Sequence, residues 1–438
     1  MTMETKEQNQ QNGAARNGQE NRQEPAPSRR RVFLAGILTG VLVTCIAGSA
    51  GMIGYRLAEG GRAVVAQADP DTESGSAVNE ESVKKLQLLE DEINEYYYES
   101  DDVTRSQKED GLYKGLIESL NDPYSVYYTG EEVRDLSESI SGSFYGIGAY
   151  ISTDKETGYP MIAGVMEDGS AGKAGILPGD LIVEVDGNPV EGESLDEVVS
   201  RVRGEEGTSV HLRIYRDGKP DYLEFDIERA KVDETTVDGR MLDKDYGIGY
   251  LAISQFDTVT TEQFDTCLGE LKQEGLKGLI LDLRNNPGGN VDTVTDIAGN
   301  FLPEGLVFYT LEKDGTRTDY SCDGKNQLKL PLVVLVNGNS ASASEILSGA
   351  IQDAGSGTIL GTQTYGKGVV QSVMTLNDGS GLKLTIANYF TRNGNNINKI
   401  GITPDVELEF DSDAYTQDGS DNQLQRAQEL VEEELNVP

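Results

Sequence analysis

Histidine is nearly absent: the 438-residue chain has one, His211. Any serine–histidine or cysteine–histidine mechanism would have to run through it. It sits in Val210-His211-Leu212-Arg213-Ile214, an alternating pattern that places His211 on the polar face of a strand. Read as an ordinary exposed strand residue, it leaves nucleophilic catalysis in need of another base, and lysine is the usual substitute. Cysteine is scarce as well. Cys45, Cys267 and Cys322 cannot form a disulfide framework, and none has a CxxC neighbour that would suggest zinc. Cys45 lies in an apolar segment; Cys267 and Cys322 read as two buried free thiols. No metal and no cofactor is expected. Basic residues are outnumbered: 37 Lys and Arg stand against 75 Asp and Glu, for a formal net charge of −38. No nucleic-acid partner is expected, because a phosphate backbone needs a basic footprint. An acidic surface otherwise favours solubility and says little about fold.

What is present divides along the chain. Residues 1–31 are rich in Gln, Asn, Glu and Arg without apolar periodicity and read as a disordered tail. Arg29-Arg30-Arg31 then abuts Val32–Tyr55, a stretch of 24 residues without a charge. As a helix it would span roughly 36 Å, enough for a bilayer. An uncleaved signal-anchor is the expectation; a cleaved signal peptide competes, since Ala47–Gly51 are small. The arginine cluster predicts a cytoplasmic N-terminus, which puts the rest of the chain outside the cell membrane. Residues 56–80 read as a linker. Residues 81–142 read as helical, with helices over Val83–Tyr97 and Ser106–Leu120, a stop at Asn121-Asp122-Pro123, and a third helix from about Glu131. This region supplies either a dimer contact or simple packing on the next domain.

From Ser143 to Glu228 short strands and turns alternate. Tyr145-Gly146-Ile147-Gly148 leads into a strand, GILPGDLIVEVDG supplies a turn and a strand, and Leu195–Val202 is helical. The order of elements resembles a PDZ domain, in which backbone N–H groups of a glycine-rich loop hold a C-terminal carboxylate and the adjoining strand edge accepts an extended peptide. Tyr145, Gly146, Ile147 and Gly148 are the candidates for that loop. Residues 229–410 read as α/β, with apolar strands at Leu276–Leu283 and Leu332–Val336. Residues 411–438 read as an acidic, solvated linker followed by the helix Asn422–Glu434. The acidic stretch Asp411–Asp421 is not a calcium loop, because Thr416 stands where glycine is needed and Asn422 where glutamate is needed.

The chemistry concentrates in residues 337–371. A nucleophile belongs where a helix begins, because the following N–H groups are unpaired and point at developing negative charge. Ser342 followed by Ala343 occupies that place; on spacing alone Ser340 and Ser344 compete. Lys367, in Gly366-Lys367-Gly368, is the candidate base. A lysine with an ordinary pKa near 10.4 is only about 0.1% neutral at pH 7.4, so a base would need roughly 4 kcal/mol of differential destabilisation of its charged form. Burial beside Tyr365, Val369 and Val370 is the expected means. If residues 367–371 are extended, Lys367, Val369 and Gln371 share a face, and Gln371 would orient the amine. Gly288, in the Pro-Gly-Gly turn, would bring a second N–H to the oxyanion.

These motifs, SASASEI and GTQTYGKGVVQ above all, resemble the carboxy-terminal processing peptidases (tail-specific proteases) of serine peptidase family S41. DLRNNPGG at 282–289 and LTIANYFTRNG…GITPDV at 384–406 fit the same family, and the resemblance covers roughly residues 81–436. It implies Ser342 as nucleophile, Lys367 as general base, Gln371 as the residue positioning Lys367, and Gly288 and Ala343 as oxyanion-hole donors. It also implies an α/β protease core of the crotonase/Clp-protease type with an embedded PDZ domain. The implied activity is a membrane-anchored serine endopeptidase acting outside the cytoplasmic membrane on protein substrates with accessible C-terminal tails. Terminal helices able to build a homodimer, and a PDZ domain able to block or open the catalytic tunnel, belong to the same expectation. Arg203 is a candidate for coupling the PDZ domain to the core, with a plain surface arginine as the simpler reading. The alternative for the whole chain is a catalytically inactive, membrane-anchored PDZ adaptor that binds C-terminal peptides.

Overall fold

The structure, a computed structural model, describes residues 76–166 and 169–436. Val32–Tyr55 lies outside the described residues; among those described, no helix is long and apolar enough to cross a membrane.

Two helices open the described chain, α1 (Glu80–Tyr96) and α2 (Arg105–Glu118), and neither buries a residue. Each starts at a reciprocal cap, Asn79 with Ser82 and Thr104 with Gln107, which satisfies N–H groups that the first turn leaves unpaired. β1 (Val126–Tyr128) and α3 (Gly130–Ser141) follow. α3 ends at Gly142, whose φ of +68° a side chain would oppose. The chain then leaves through β2 (Ser143–Gly146) into a small separate sheet. That sheet holds β3 (Ala149–Thr153), β4 (Pro160–Val165), β5 (Leu181–Val185) with the short β6 (Asn188–Pro189), β7 (Ser209–Tyr215) and β8 (Leu223–Glu228). Two helices belong with it, α4 (Ser170–Ala174) and α5 (Leu195–Val202). Its core is its own, built around Ile162, Ile182, Val198, Leu212 and Ile214. The chain returns through β9 (Ala230–Asp233), which pairs antiparallel with β2, so the two crossings form one ribbon.

The larger body begins with β10 (Val237–Asp243), β11 (Ile248–Ile253), α6 (Thr260–Gln273), β12 (Gly278–Asp282) and α7 (Val291–Ala298). It continues with β13 (Gly305–Glu312), β14 (Arg317–Cys322), β15 (Leu332–Val336), α8 (Ala343–Ala354) and β16 (Thr358–Gly361). The chain finishes with β17 (Val369–Thr375), β18 (Gly381–Thr391), β19 (Val406–Glu407), α9 (Ser412–Asp418) and α10 (Asn422–Leu435). One six-stranded sheet runs β10-β11-β12-β15-β16-β19, parallel except at β10. Leu279, Leu281 and Val334 enter a core shared with α6, α7 and α8, while Ile280, Val333 and Leu335 enter a second core with Ala427 and Val431 of α10. Both faces are covered, which is why β12 and β15 read as unbroken apolar runs rather than alternating ones. Arg284, just past β12, bonds Asp282 at 2.6 Å and Asp421 at 2.8 Å, tying α10 to the carboxyl end of that strand. A second sheet, β1-β18-β13-β14 with β17 on β18, supplies the other wall of the site.

Two expectations change. Asp411–Asp421 is not a linker throughout: Asp411 accepts the Asp413 and Ala414 N–H groups and so nucleates α9, which Gly419 ends in the left-handed conformation. Cys267 and Cys322 are unpaired, but both are half-buried rather than buried.

Candidate active site

β15 delivers the chain to Ser340, Ala341 and Ser342 just before α8. The three serines are equally buried and differ in what their surroundings ask of them. Ser340 Oγ donates to the Leu283 carbonyl at 2.8 Å and accepts the Asn337 N–H at 2.9 Å. Ser344 Oγ donates to the Asn286 carbonyl at 3.0 Å. Both hydroxyls pin the 283–286 loop against the helix start. Ser342 instead holds an unusual backbone, φ +54° and ψ −114°, at the N-cap of α8. Such a conformation costs a non-glycine residue about 1–3 kcal/mol and persists only where neighbours impose it.

The neighbours are identifiable. Glu345, fully buried in the first turn of α8, accepts the Ser342 N–H and the Lys367 N–H, each at 2.9 Å, on Oε2. Its Oε1 accepts the Gly366 N–H at 2.7 Å and the Thr364 hydroxyl at 2.6 Å. Burial raises the Glu345 carboxyl above its ordinary range, and the bonds from Thr364, Gly366, Lys367 and Ser342 offset that only in part. One carboxylate thus clips the backbone of the serine turn to the backbone of the lysine bend. The Tyr389 hydroxyl adds a bond to the Ser342 carbonyl at 3.2 Å.

Lys367 is 4% exposed. Of the neighbours expected to cover it, Val369 and Val370 are buried, but Tyr365 is about half exposed. The roof comes from elsewhere: the Tyr124 ring centroid lies 5.0 Å from Lys367 Nζ. Tyr124 belongs to the Asp122–Tyr128 segment, to which sequence reading gave no role beyond the helix stop at Asn121-Asp122-Pro123. Burial, reinforced by a hydrogen bond with Tyr365, pushes the Tyr124 hydroxyl well above its ordinary pKa, so it remains neutral at physiological pH.

Gln371 does not reach the site by simple alternation from Lys367. Lys367 precedes β17, and a bulge between Val370 and Gln371 shifts the register. Gln371 is buried; its amide nitrogen donates to Thr385 Oγ1 at 3.2 Å, and its Oε1 has no partner among the described residues.

Gly288 stands against the serine turn. A Cβ built on it would lie 2.7 Å from Ser342 Cβ and 2.9 Å from the Ala343 nitrogen, and its φ is +106°. Only glycine fits there. Its N–H is donated to Asn286 Oδ1 at 2.8 Å, so it can serve an oxyanion only after that bond is exchanged. Asn286 is itself locked in place, its side chain donating to the Ile253 carbonyl at 2.8 Å and its carbonyl accepting the Ala341 N–H at 3.0 Å.

Residues 247–408 match peptidase family S41, and residues 161–216 match a PDZ domain. The chain is 34% identical over 341 residues to the carboxy-terminal processing protease CtpB of Bacillus subtilis (strain 168), an overlap covering 77% of this chain and 70% of that protein. It is 33% identical over 381 residues to CtpA of the same organism, covering 86% and 76% respectively. The solved photosystem II D1 C-terminal processing protease is 33% identical, with 73% of this chain and 86% of that one covered and a TM-score of 0.43. The chain belongs to peptidase family S41. It is a C-terminal processing serine peptidase with a PDZ domain.

In this S41 peptidase the PDZ groove is a cavity of about 400 Å³ lined by Gly146, Ile147, Gly148, Ile151, Val202 and Arg203, among others. Tyr145 is not among its lining residues; it sits in β2, paired with Lys231 of β9. Arg203 is exposed at the end of α5; its guanidinium lies 4.3 Å from the Phe144 ring centroid and 4.0 Å from Glu138. His211 is on β7 of the PDZ sheet, half exposed, with Nδ1 2.8 Å from Asp226 Oδ1; that hydrogen bond raises its pKa. Ser342 lies on no strand of that sheet; it caps α8 of the larger body.

Sequence reading missed Glu345, Thr364 and the Asp122–Tyr128 roof. For Glu345 a signal existed: Ser342-x-x-Glu345 has the capping-box spacing. For the roof there was none, because its contacts to the lysine bend and to β18 join segments more than 200 residues apart.

Proposed function

We propose that this peptidase is anchored in the cell membrane by residues 32–55, with its N-terminus cytoplasmic and its catalytic part outside, and that it cleaves near the C-termini of flexible protein tails. Ser342 is the nucleophile and Lys367 its general base. The neutral Lys367 amine takes the Ser342 hydroxyl proton as Oγ adds to the scissile carbonyl. That proton passes to the departing amine as the peptide bond breaks, leaving an acyl-enzyme. Lys367 then deprotonates a water that attacks the ester, and Ser342 regains its proton. Ala343 and Gly288 N–H groups receive the oxyanion. Gln371 Oε1, a buried acceptor, positions the amine. Gly146, Ile147 and Gly148 hold the terminal carboxylate of the tail.

The observation that carries this reading is the Glu345 carboxylate, which bonds the backbones of both Ser342 and Lys367. A binding protein has no use for a buried carboxyl that holds a strained serine in register with a buried lysine. Lys367→Ala and Ser342→Ala should fold normally and release no product from an unfolded protein or from a peptide with an apolar C-terminus. Cleavage by purified Lys367→Ala protein would overturn the mechanism. Failure of a serine-reactive fluorophosphonate to label Ser342 would favour the inactive PDZ adaptor instead.

The outer apolar residues of α1 and α2, including Leu86, Leu89, Ile93, Leu112 and Leu116, are exposed. We propose that they meet a second copy in a homodimer. Sedimentation should report a dimer that Leu89→Glu dissociates; a wild-type monomer at micromolar concentration would rule the homodimer out.

A further inference from the structure

A second lysine is buried in the wall formed by β1, β18 and β17. Lys383, on β18, is fully buried (0% exposed). It stands opposite Val373 of β17 on one side and Val126 of β1 on the other, while Thr385, two residues along β18, stands opposite Gln371. Side chains two apart on a strand share a face, as do directly paired residues of neighbouring strands. Lys383 therefore lies on the same sheet face as Thr385 and Gln371.

One segment covers both lysines. Tyr124 lies over Lys367 Nζ at 5.0 Å, and Tyr128 lies 5.4 Å from Lys383 Nζ. The segment is seated on β18 by Ser125, whose Oγ accepts the Thr385 N–H at 3.1 Å and donates to Asp122 Oδ2 at 2.6 Å.

We propose that Lys383 is a positioning residue for the base, its buried ammonium disfavouring the protonated form of Lys367 so that Lys367 is available as a neutral amine. The inference rests on the reading of Lys367 as general base.

Two like charges in a poorly solvated wall repel far more strongly than in water. The repulsion is mutual: the Lys383 ammonium is itself pushed down to about 8, first by burial and then by the Lys367 charge, with Asp122 opposing. Around the pair stand Asp122, Tyr124 and Tyr128 on the covering segment, Tyr365 on the lysine bend, and Glu345 on α8. Farther out, Glu132 of α3 acts on Tyr128 and is bonded to Lys114. Asp122 is the anion that acts on both lysines. It accepts bonds from Ser125 and the Tyr124 N–H, which hold its carboxyl below the ordinary range despite partial burial. Because Asp122 acts on both, the two lysines release their protons as a coupled pair.

The test is the pH profile of kcat/KM on a fluorogenic peptide with an apolar C-terminal residue and a free carboxylate. Lys383→Met should move the acid limb upward by about one pH unit, so that activity falls about tenfold at the foot of the limb and recovers fully at high pH. Lys383→Arg, which keeps the charge, should leave the limb in place. Asp122→Asn, on a half-buried side chain that need not disturb folding, should move the limb the opposite way, toward acid. A purely structural role would lower activity at every pH and leave the limb where it is. An unmoved limb in Lys383→Met overturns the proposal, and if that variant does not fold, an unmoved or alkaline-shifted limb in Asp122→Asn does so. Lys367→Ala run alongside separates the two readings: if it cleaves, the base assignment fails; if it is inert and the limbs do not move, only the role of Lys383 fails.

Discussion

Replacing Glu345 tests whether the strained serine is imposed by the rest of the site. The Ser342 conformation costs about 1–3 kcal/mol. A hydrogen bond to a charged group contributes about 1.5–3 kcal/mol, so the single bond from Ser342 N–H to Glu345 is of the size needed to hold it. Glu345→Gln keeps shape and removes charge. Its amide oxygen can still accept the Ser342 and Lys367 N–H groups if the NH2 turns toward Thr364, whose hydroxyl can rotate to accept. The Gly366 N–H then faces a donor. One bond is lost of the four now made by Thr364, Gly366, Lys367 and Ser342. The expected loss is about tenfold to a hundredfold in kcat, with KM little changed. Glu345→Ala strands all four donors, and kcat should fall by a further hundredfold or so, with a lowered Tm. Steady-state cleavage of a quenched peptide and thermal unfolding report the two effects separately. If Glu345→Ala kept wild-type kcat, the clip would not be what holds the serine.

Gly288→Ala should cost about a hundredfold or more in kcat, because the new Cβ would sit 2.7 Å from Ser342 Cβ at a φ of +106°; fluorophosphonate labelling rates would register it. Asp257, buried beside Gly142 where the chain turns into the PDZ ribbon, is pushed up to about 7 by burial, against a bond from Gln255 and with help from Glu234. The folded protein thus holds this proton more tightly than the unfolded chain. The resulting stability is fully present below about pH 4 and is lost as pH rises through about 7. Asp257→Asn removes that dependence, so unfolding measured from pH 5 to pH 8 should show the variant gaining about 2–4 kcal/mol on wild type; parallel curves would contradict the assignment. Arg284→Ala leaves Asp282 and Asp421 facing each other with little exposure, and should destabilise the fold by about 3–5 kcal/mol in urea titrations.

Much of this was legible without coordinates. The apolar runs Leu276–Leu283 and Leu332–Val336 read as buried strands because strands covered on both faces need no polar alternation. The PDZ elements were legible because turns and short strands are written in local glycine, proline and aspartate. His211 could be set aside from its alternating context alone. The linker assigned to Asp411–Asp421 failed for a local reason: acidic composition was weighed above the capping role of Asp411. That Tyr145 pairs with Lys231 was not legible, because its partner strand β9 lies some 85 residues away.

The sequence by itself determined the chemistry available. One histidine, a serine at a helix start and a lysine in a glycine bend leave a serine–lysine hydrolase as the economical reading, and those are properties of residue type and local spacing. Only the tertiary structure showed how differently Ser340, Ser342 and Ser344 are held. It gave the first and last of these hydroxyls to the 283–286 loop and put the strained, positive-φ backbone at Ser342. It alone brought Glu345 between serine and lysine, and laid Tyr124 and Tyr128 over two lysines from more than 200 residues away. Those contacts join segments that share no local pattern. Their strength depends on exclusion of water, which a sequence does not display until the chain has closed on itself.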